Sequence, residues 1–231
     1  MRILVIDSSI PKGSVALLNQ SGIVYQETLA PNSSFSKNIL PKIREILIKF
    51  GHELNQMDGF GLTSGPGSFT GLRVGMSLIK GIALGVNKPV VAIETLLATA
   101  LQVESFEFPI CSILDAKKKQ VYAAIFKREN EGLVKQLPDT ALSPQDLIKH
   151  ISEPTIFVGQ GLEVYEDYLS DNLKSLFVKN YKNNFNSVAG NAGIYALNNF
   201  ETLKETNLDR LTIKYARKSE AEIKLEQLAV S

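Results

Sequence analysis

The start of the chain alternates short apolar runs with turn-forming residues. Apolar and β-branched residues dominate positions 3–6, 14–18 and 23–29, and the sequences PKG and SG separate these runs. Short runs of this composition, bounded by glycine and proline, are typical of strands joined as hairpins. The pattern therefore predicts three antiparallel strands.

A helical period follows these strands. Apolar residues recur three or four positions apart at 35, 39, 43, 46 and 50, and Leu40 and Leu47 widen the stripe. This spacing predicts an amphipathic helix over residues 34–50. Pro41 lies inside the pattern and has no backbone N–H, so the helix either begins near Ile39 or bends at the proline.

The rest of the chain alternates strand and helix patterns. Strands are predicted at 59–63 and 89–93, and helices at 70–86 and 95–103. After about residue 104 a second strand-rich unit begins, with strands at 110–114, 120–126 and 155–158 and a helix at 143–150. Each unit thus combines strands with helices.

This order differs from a doubly wound dinucleotide-binding domain, whose first strand leads directly into a helix. It suits the ribonuclease-H-like half-unit of actin, sugar kinases and Hsp70. We therefore expect an α/β fold of two subdomains, each with a mixed β-sheet flanked by helices. Residues 1–103, completed by a helix from about 187–200, would form the first subdomain. Residues 104–222 would form a smaller, degenerate second one, and residues 223–231 a polar tail.

The charge balance predicts no general attraction to polyanions or membranes. Lys and Arg number 25 against 24 Asp and Glu, for a net charge of +1. Contact with tRNA is therefore expected to be local or indirect. The lysines at 117–119 are interpreted as a solvated turn, because no aromatic residue interleaves them. The single cysteine, Cys111, is predicted to be a buried strand residue in a reducing compartment. With no signal-type segment and no long apolar run, a cytoplasmic location is expected.

A glycine-rich elbow, GPGSFTGLRVG at 65–75, lies between a predicted strand and a predicted helix. Gly65 and Gly67 permit a tight turn, Ser68 or Thr70 can cap the helix, and the first-turn amides could face an anion. The elbow is not a Walker loop, because Leu72 stands where that loop needs lysine. Two interpretations stay open, an anion site and a capped turn whose glycines serve packing.

No metal site is expected. The only histidines, His52 and His150, are far apart in sequence, and neither belongs to an H-E-x-x-H motif or an i,i+4 pair.

Four segments together resemble one protein family. They are ILVIDSS at 3–9 with SVAL at 14–17, the elbow at 65–75, LDA at 114–116 with QVYA at 120–123, and YARKSEA at 215–221. In this combination they resemble the TsaB family, also called YeaZ, from residue 1 to about 222. The chain departs slightly from the family pattern, with Ser8 in place of threonine and Ala216 in place of a larger apolar residue.

The resemblance implies a non-catalytic, degenerate paralogue of the catalytic subunit TsaD. Such a subunit supports threonylcarbamoyl transfer to adenosine 37 of tRNAs reading ANN codons. It pairs with a TsaD-like subunit through its first two helices, and a TsaE-like ATPase joins them. If those helices leave an apolar patch exposed on the free chain, the chain alone is expected to self-associate as a homodimer. TsaD-like enzymes carry a metal-binding histidine pair on the helix matching residues 34–50, whereas this chain has none there. The older glycoprotease label is therefore disfavoured.

The partner interface is expected on the apolar faces of these two helices. Its predicted residues are Phe35, Ile39, Ile43 and Ile46 on the first helix, and Gly71, Leu72, Gly75, Met76 and Ile79 on the second. The second helix carries two glycine pairs, at 71 and 75 and at 81 and 85. Interior glycines destabilise a helix, so a close approach is expected, either of a partner backbone or of this protein's own sheet. The first pair lies nearest the elbow and could instead admit the turn or a ligand.

The resemblance also implies a degenerate nucleotide site. Its predicted residues are Asp7, Ser8, Ser9, Gly65, Gly67 and Ser68. Actin-fold kinases place glycines after the strand-end aspartate, whereas Asp7 is followed by SSIP, and Pro11 removes an amide donor. We therefore assign no catalytic residue and no cofactor. The alternative is a nucleotide-dependent transferase or ATPase of the actin-like class that uses Asp7 and the elbow.

Overall fold

The computed structural model describes residues 1–29, 35–104, 107–129, 132–179 and 187–217, without the side chains of Phe35 and Ser36. The first subdomain is built on a five-stranded sheet of order β3-β2-β1-β4-β5. Its strands are β1 (Arg2–Asp7), β2 (Ser14–Asn19), β3 (Gly22–Thr28), β4 (Gly59–Gly65) and β5 (Val90–Glu94). The three opening strands pair antiparallel, as predicted, and β4 and β5 run parallel to β1. The central β1 is almost wholly buried, which explains its unbroken apolar run.

Three helices accompany this sheet, α1 (Phe35–Lys49), α2 (Phe69–Val86) and α3 (Thr95–Ala100). Pro41 lies inside α1, so the helix does not begin near Ile39 as one reading of the sequence had it. Side chains of α1 and α2 share a buried cluster with Leu4 and Ile6 of β1. Both helices therefore cover the same face of the sheet.

The second subdomain repeats this topology. Its strands are β6 (Ile110–Lys117), β7 (Gln120–Glu129), β8 (Gly132–Leu142), β9 (Thr155–Val158) and β10 (Phe177–Lys179), in the order β10-β9-β6-β7-β8. In each sheet the third strand lies at one edge and the fifth at the other. The helices α4 (Pro144–Ile148) and α5 (Leu162–Leu173) pack against the second sheet. Cys111 is fully buried in β6, as predicted, and burial raises the pKa of its thiol.

The chain then returns to the first sheet through α6 (Val188–Asn198) and α7 (Phe200–Leu203). Small residues of α6, among them Ala189, Ala192 and Ala196, pack on the sheet face opposite α1 and α2. A methyl group at Gly193 would lie 2.3 Å from Leu18 Cδ1, so α6 depends on glycine for its close approach. Residues 218–231, which include the predicted tail, lie outside the described residues.

The helix α2 is also apolar. Within the described residues it is the single helix that length and composition would allow to cross a membrane. Core helices of folded proteins meet the same criterion, and Leu72, Ile79 and Ala83 of α2 are buried in the core.

Candidate functional site

The predicted nucleotide residues meet where β1 and β4 end beside the start of α2. Asp7 is fully buried, and its Oδ1 accepts hydrogen bonds from the Ser9 amide at 3.0 Å, the Ser9 hydroxyl and the Thr63 hydroxyl at 2.6 Å. Its Oδ2 has no hydrogen-bond partner among the described residues. Burial raises the pKa of Asp7, although the Ser9 and Thr63 bonds oppose that shift. The carboxyl group is therefore enclosed by this chain.

The elbow that follows is filled by the chain's own backbone. The Ser68 amide donates to the Ser9 carbonyl at 2.7 Å, and the Ser68 hydroxyl caps α2 by accepting from the Gly71 amide at 3.2 Å. A methyl group at Gly67 would lie 2.4 Å from the Ser9 carbonyl oxygen. At Gly65, where φ is +116°, it would lie 2.3 Å from the Lys214 carbonyl oxygen. The glycines thus admit other parts of this chain, which favours the capped-turn interpretation.

No metal centre is visible within the described residues. They contain no group of three or more His, Cys, Asp and Glu side chains that could hold an ion. His52 follows α1 in the first subdomain, whereas His150 follows α4 in the second.

The structure corrects the predicted partner interface. Six of its apolar residues are at most 6% exposed, namely Ile39, Ile43, Ile46, Leu72, Met76 and Ile79. All of them except Leu72 belong to the buried cluster that includes side chains of β1. The periodic stripes of α1 and α2 face the protein's own sheet, so these side chains cannot form an exposed patch. The side chain of Phe35 lies outside the described residues.

The two glycine pairs of α2 also differ from each other. Methyl groups at Gly71 and Gly75 would each lie 2.1 Å from an oxygen of Ser8, so this pair admits the turn after β1. The close approach at this pair is therefore that of the chain's own turn, which is one of the alternatives that the sequence left open. Methyl groups at Gly81 and Gly85 would meet no atom within 4 Å, and both residues are exposed.

Other apolar side chains of these helices are exposed. Leu40 and Ile48 of α1 are 50% and 69% exposed, and Leu84 of α2 is 76% exposed. Together with Gly81 and Gly85 they define what we call the outer helix face. Such side chains on neighbouring helices are candidates for a protein contact.

A cavity of about 570 Å³ lies between the two subdomains. Its walls come from the elbow, from the turn between β6 and β7, and from the C-terminal segment 214–217. That segment is held across the cavity edge, because the Lys214 amide donates to the Ser64 carbonyl at 2.8 Å and the Tyr215 ring lies 4.9 Å from the Phe69 ring.

Ser9, Gly67 and Ser68 were predicted at this site, whereas its aromatic and basic side chains were not. The missed residues are Phe69, Arg73, Lys118, Tyr122, Tyr215 and Arg217. Phe69 and Arg73 belong to the elbow, but the other four come from distant parts of the chain, so no local pattern joins them to it.

An ion-pair network joins the subdomains beside the C-terminal segment. Lys135 of β8 contacts Glu94 at the end of β5 and Asp139 at 2.6 Å, and Lys214 also bonds Glu94. Burial opposes ionisation of Glu94, but the two lysines outweigh it and hold the pKa of Glu94 below its usual value. The network therefore ties both sheets to residue 214.

Known proteins resemble this chain along most of its length. The family model described as TsaD, tRNA N6-adenosine threonylcarbamoyltransferase, matches residues 22–225. The tRNA threonylcarbamoyladenosine biosynthesis protein TsaB of Haemophilus influenzae is 33% identical over 75% of this chain and 78% of its own length. TsaB of Escherichia coli is 30% identical over 72% of this chain and 74% of its own length.

Solved structures confirm the actin-like fold. YeaZ from Pseudomonas aeruginosa superposes with a TM-score of 0.72 at 19% identity, over 93% of this chain and 99% of that one. Component A of the Acidaminococcus fermentans (R)-2-hydroxyglutaryl-CoA dehydratase does so with a TM-score of 0.51 at 12% identity, over 87% of this chain and 100% of that one. The sequence relatives go further than fold, and they show that this chain belongs to the TsaB (YeaZ) family of tRNA threonylcarbamoyladenosine biosynthesis proteins.

Proposed function

We propose that this chain is a non-catalytic partner subunit that binds a TsaD-type catalytic subunit. In that role it supports threonylcarbamoyl transfer to adenosine 37 of tRNAs reading ANN codons. One observation carries the proposal: the Ser9 carbonyl occupies the elbow by accepting from the Ser68 amide at 2.7 Å. Bound in this way, the Ser68 amide is not free to bind a phosphate.

The environment of Asp7 supports the same conclusion. A general base must come within hydrogen-bond reach of its substrate. Asp7 is 0% exposed, and its one hydrogen-bonded oxygen serves Ser9 and Thr63. The residue is therefore better placed to fix the turn after β1 than to reach a proton on a substrate.

We propose the outer helix face as the partner surface, in place of the buried stripes. Its exposed apolar side chains are Leu40, Ile48 and Leu84, and Gly81 and Gly85 leave room for close approach of another helix. A face that binds a paralogue can also bind a second copy of itself in an isologous contact. The free chain should therefore form a homodimer with which the TsaD-type subunit competes.

Sedimentation velocity with matched variants tests this surface. Leu84→Glu places a charge on the outer helix face, whereas Val164→Glu places the same charge on α5, at a side chain that is 57% exposed. Leu84→Glu should abolish both the homodimer and the complex with the TsaD-type subunit, and Val164→Glu should leave both intact. Equal behaviour of the two variants would rule out the outer helix face.

The alternative function is an autonomous nucleotide-dependent transferase or ATPase. Calorimetric titration of the chain alone with ATP and Mg²⁺ separates the two functions. We expect no turnover by the isolated chain. Tight binding followed by hydrolysis would contradict the partner role.

The wider assembly follows from the same proposal. A TsaE-like ATPase is expected to join the pair, and the cytoplasm is the expected location. Co-purification of all three proteins from cells should recover them together. If the pair is recovered without the ATPase under every nucleotide condition, the ATPase is not part of the complex.

A further inference from the structure

We propose that the cavity between the two subdomains binds a single-stranded segment of RNA. Phosphates would contact its basic residues, and at least one base would stack on its aromatic residues. This inference rests on the proposed role in tRNA modification and identifies where the RNA contacts this subunit.

The cavity is strongly biased toward positive charge. Five cationic side chains line it, against one acidic lining residue, Asp115, although Glu94 outside the lining also bonds Lys214. Asp115 pairs with Lys117 at 2.7 Å, so its charge is already matched. The cations therefore give the cavity an excess of positive charge although the chain as a whole is nearly neutral.

Two arginines are suited to bind phosphate. Arg73 Nε donates to the Tyr215 hydroxyl at 3.1 Å, and Arg217 Nη1 donates to Gln120 Oε1 at 3.0 Å. Both acceptors are neutral, and within the described residues neither guanidinium pairs with a carboxylate. A phosphate diester would supply an anion to both guanidinium groups.

Aromatic rings line the same cavity. Tyr122 projects from β7, and Tyr215 lies 44% exposed in the C-terminal segment with its ring 4.9 Å from that of Phe69. The Arg73 guanidinium lies 3.9 Å from the Phe69 ring centroid. Cations interleaved with aromatic rings are the usual means of binding unpaired bases, because every base has a face that can stack.

The turn between β6 and β7 adds a rim of lysines. Lys117, Lys118 and Lys119 all have positive φ values, of 61°, 53° and 60°. Three consecutive residues with side chains rarely adopt this conformation, and such backbone strain is concentrated at functional sites. Lys117 and Lys118 line the cavity. The structure thus supplies from other elements the aromatic residues that the sequence around these lysines lacks.

The same features argue against a nucleoside triphosphate as the ligand. A triphosphate brings Mg²⁺, whose usual protein ligands are carboxylates. Asp115 is paired with Lys117, and Asp7 is buried beneath Ser9. An RNA strand needs neither a magnesium ligand nor the occupied elbow amides, and its bases, unlike those of a duplex, are free to stack.

Fluorescence anisotropy with a labelled single-stranded RNA heptanucleotide tests the proposal at several salt concentrations. Arg217→Gln should weaken binding about five-fold in 0.1 M salt and reduce the salt slope by about 0.7, the value for one phosphate contact on a single strand. Tyr215→Leu should weaken binding about five-fold or more without changing the slope, whereas Tyr215→Phe keeps the ring and should bind like the wild type.

The control is Lys127→Gln, which removes an exposed charge on β7 seven residues from Gln120, about 23 Å along the strand. It should bind RNA like the wild type. A loss equal to that of Arg217→Gln, or tighter binding of ATP than of the heptanucleotide to this cavity, would overturn the proposal. Sedimentation with the TsaD-type subunit separates this inference from the proposed function. If the chain pairs with that subunit but binds no RNA, only the RNA site is refuted.

Discussion

The four glycines of α2 should respond in opposite ways to the same substitution. Each is in a helix, where alanine is more favourable than glycine by about 0.5–1 kcal/mol. Gly81→Ala adds a methyl group to open space, whereas Gly71→Ala places one 2.1 Å from the Ser8 carbonyl oxygen. Alanine should therefore stabilise the protein at position 81, whereas at position 71 the contact with Ser8 should outweigh the better helix propensity of alanine.

The size of the loss depends on whether the neighbour can move. At Gly71 the neighbour is backbone, so overpacking should cost about 1–3 kcal/mol or more. At Gly75 the nearest atom is Ser8 Oγ, which can rotate and has no hydrogen-bond partner among the described residues, although Ser8 Cβ stays 3.0 Å away. Gly75→Ala should therefore lose less stability than Gly71→Ala.

Thermal and urea unfolding measure the difference. For a chain of this size, 1 kcal/mol shifts Tm by about 2–4 °C. Gly81→Ala should raise Tm by about 1–4 °C, and Gly71→Ala should lower it. Because Gly81 belongs to the outer helix face, its extra methyl group should also weaken partner association while stabilising the fold. Shifts of the same sign at 71 and 81 would refute the close approach of Ser8.

Three further outcomes are expected. Met76→Glu buries an unpaired charge at a residue that is 6% exposed and should lower the free energy of unfolding in urea by about 3–5 kcal/mol. The control Met76→Leu should lower it by less than about 1.5 kcal/mol. A glutamate variant as stable as the wild type would contradict the burial of this side chain. Asp7→Asn removes a carboxyl group whose pKa is raised above its usual 3.8. The free energy of unfolding of the wild type should therefore fall relative to that of the variant as the pH rises through 3.8 toward neutrality. Parallel plots of unfolding free energy against pH for the two proteins would contradict this cost of ionising Asp7. Ser68→Ala removes the α2 cap and should lower the free energy of unfolding in urea by about 1 kcal/mol. Ser68→Asn keeps a capping side chain and should unfold nearly like the wild type.

The sequence predicted local structure well where a single hydrophobic pattern ran through a whole strand or helix. The opening hairpins, the elbow and α1 follow directly from period and turn residues. The strand β8 was not predicted, because Pro138 and Asp139 interrupt it. It is tolerated as an edge strand, where a missing amide donor needs no partner.

The orientation of an apolar face was harder to predict than its existence. The spacing of Ile39, Ile43 and Ile46 correctly identified one face of α1, but periodicity does not say whether that face meets a partner or its own sheet. Their burial decides the question. The cavity was beyond prediction for a related reason, since Tyr122 and Tyr215 are brought together by tertiary contacts across the chain.

Reconstituted threonylcarbamoyl transfer tests the central claim most directly. The initial rate on tRNA would be measured with the TsaD-type subunit and the TsaE-like ATPase, in the absence of this chain, with the wild type, and with Asp7→Asn. Transfer should depend on adding the chain, and Asp7→Asn should support it as well as the wild type, because the buried carboxylate takes no part in the chemistry. Full transfer without the chain, or its loss with a folded and partner-bound Asp7→Asn variant, would contradict the account.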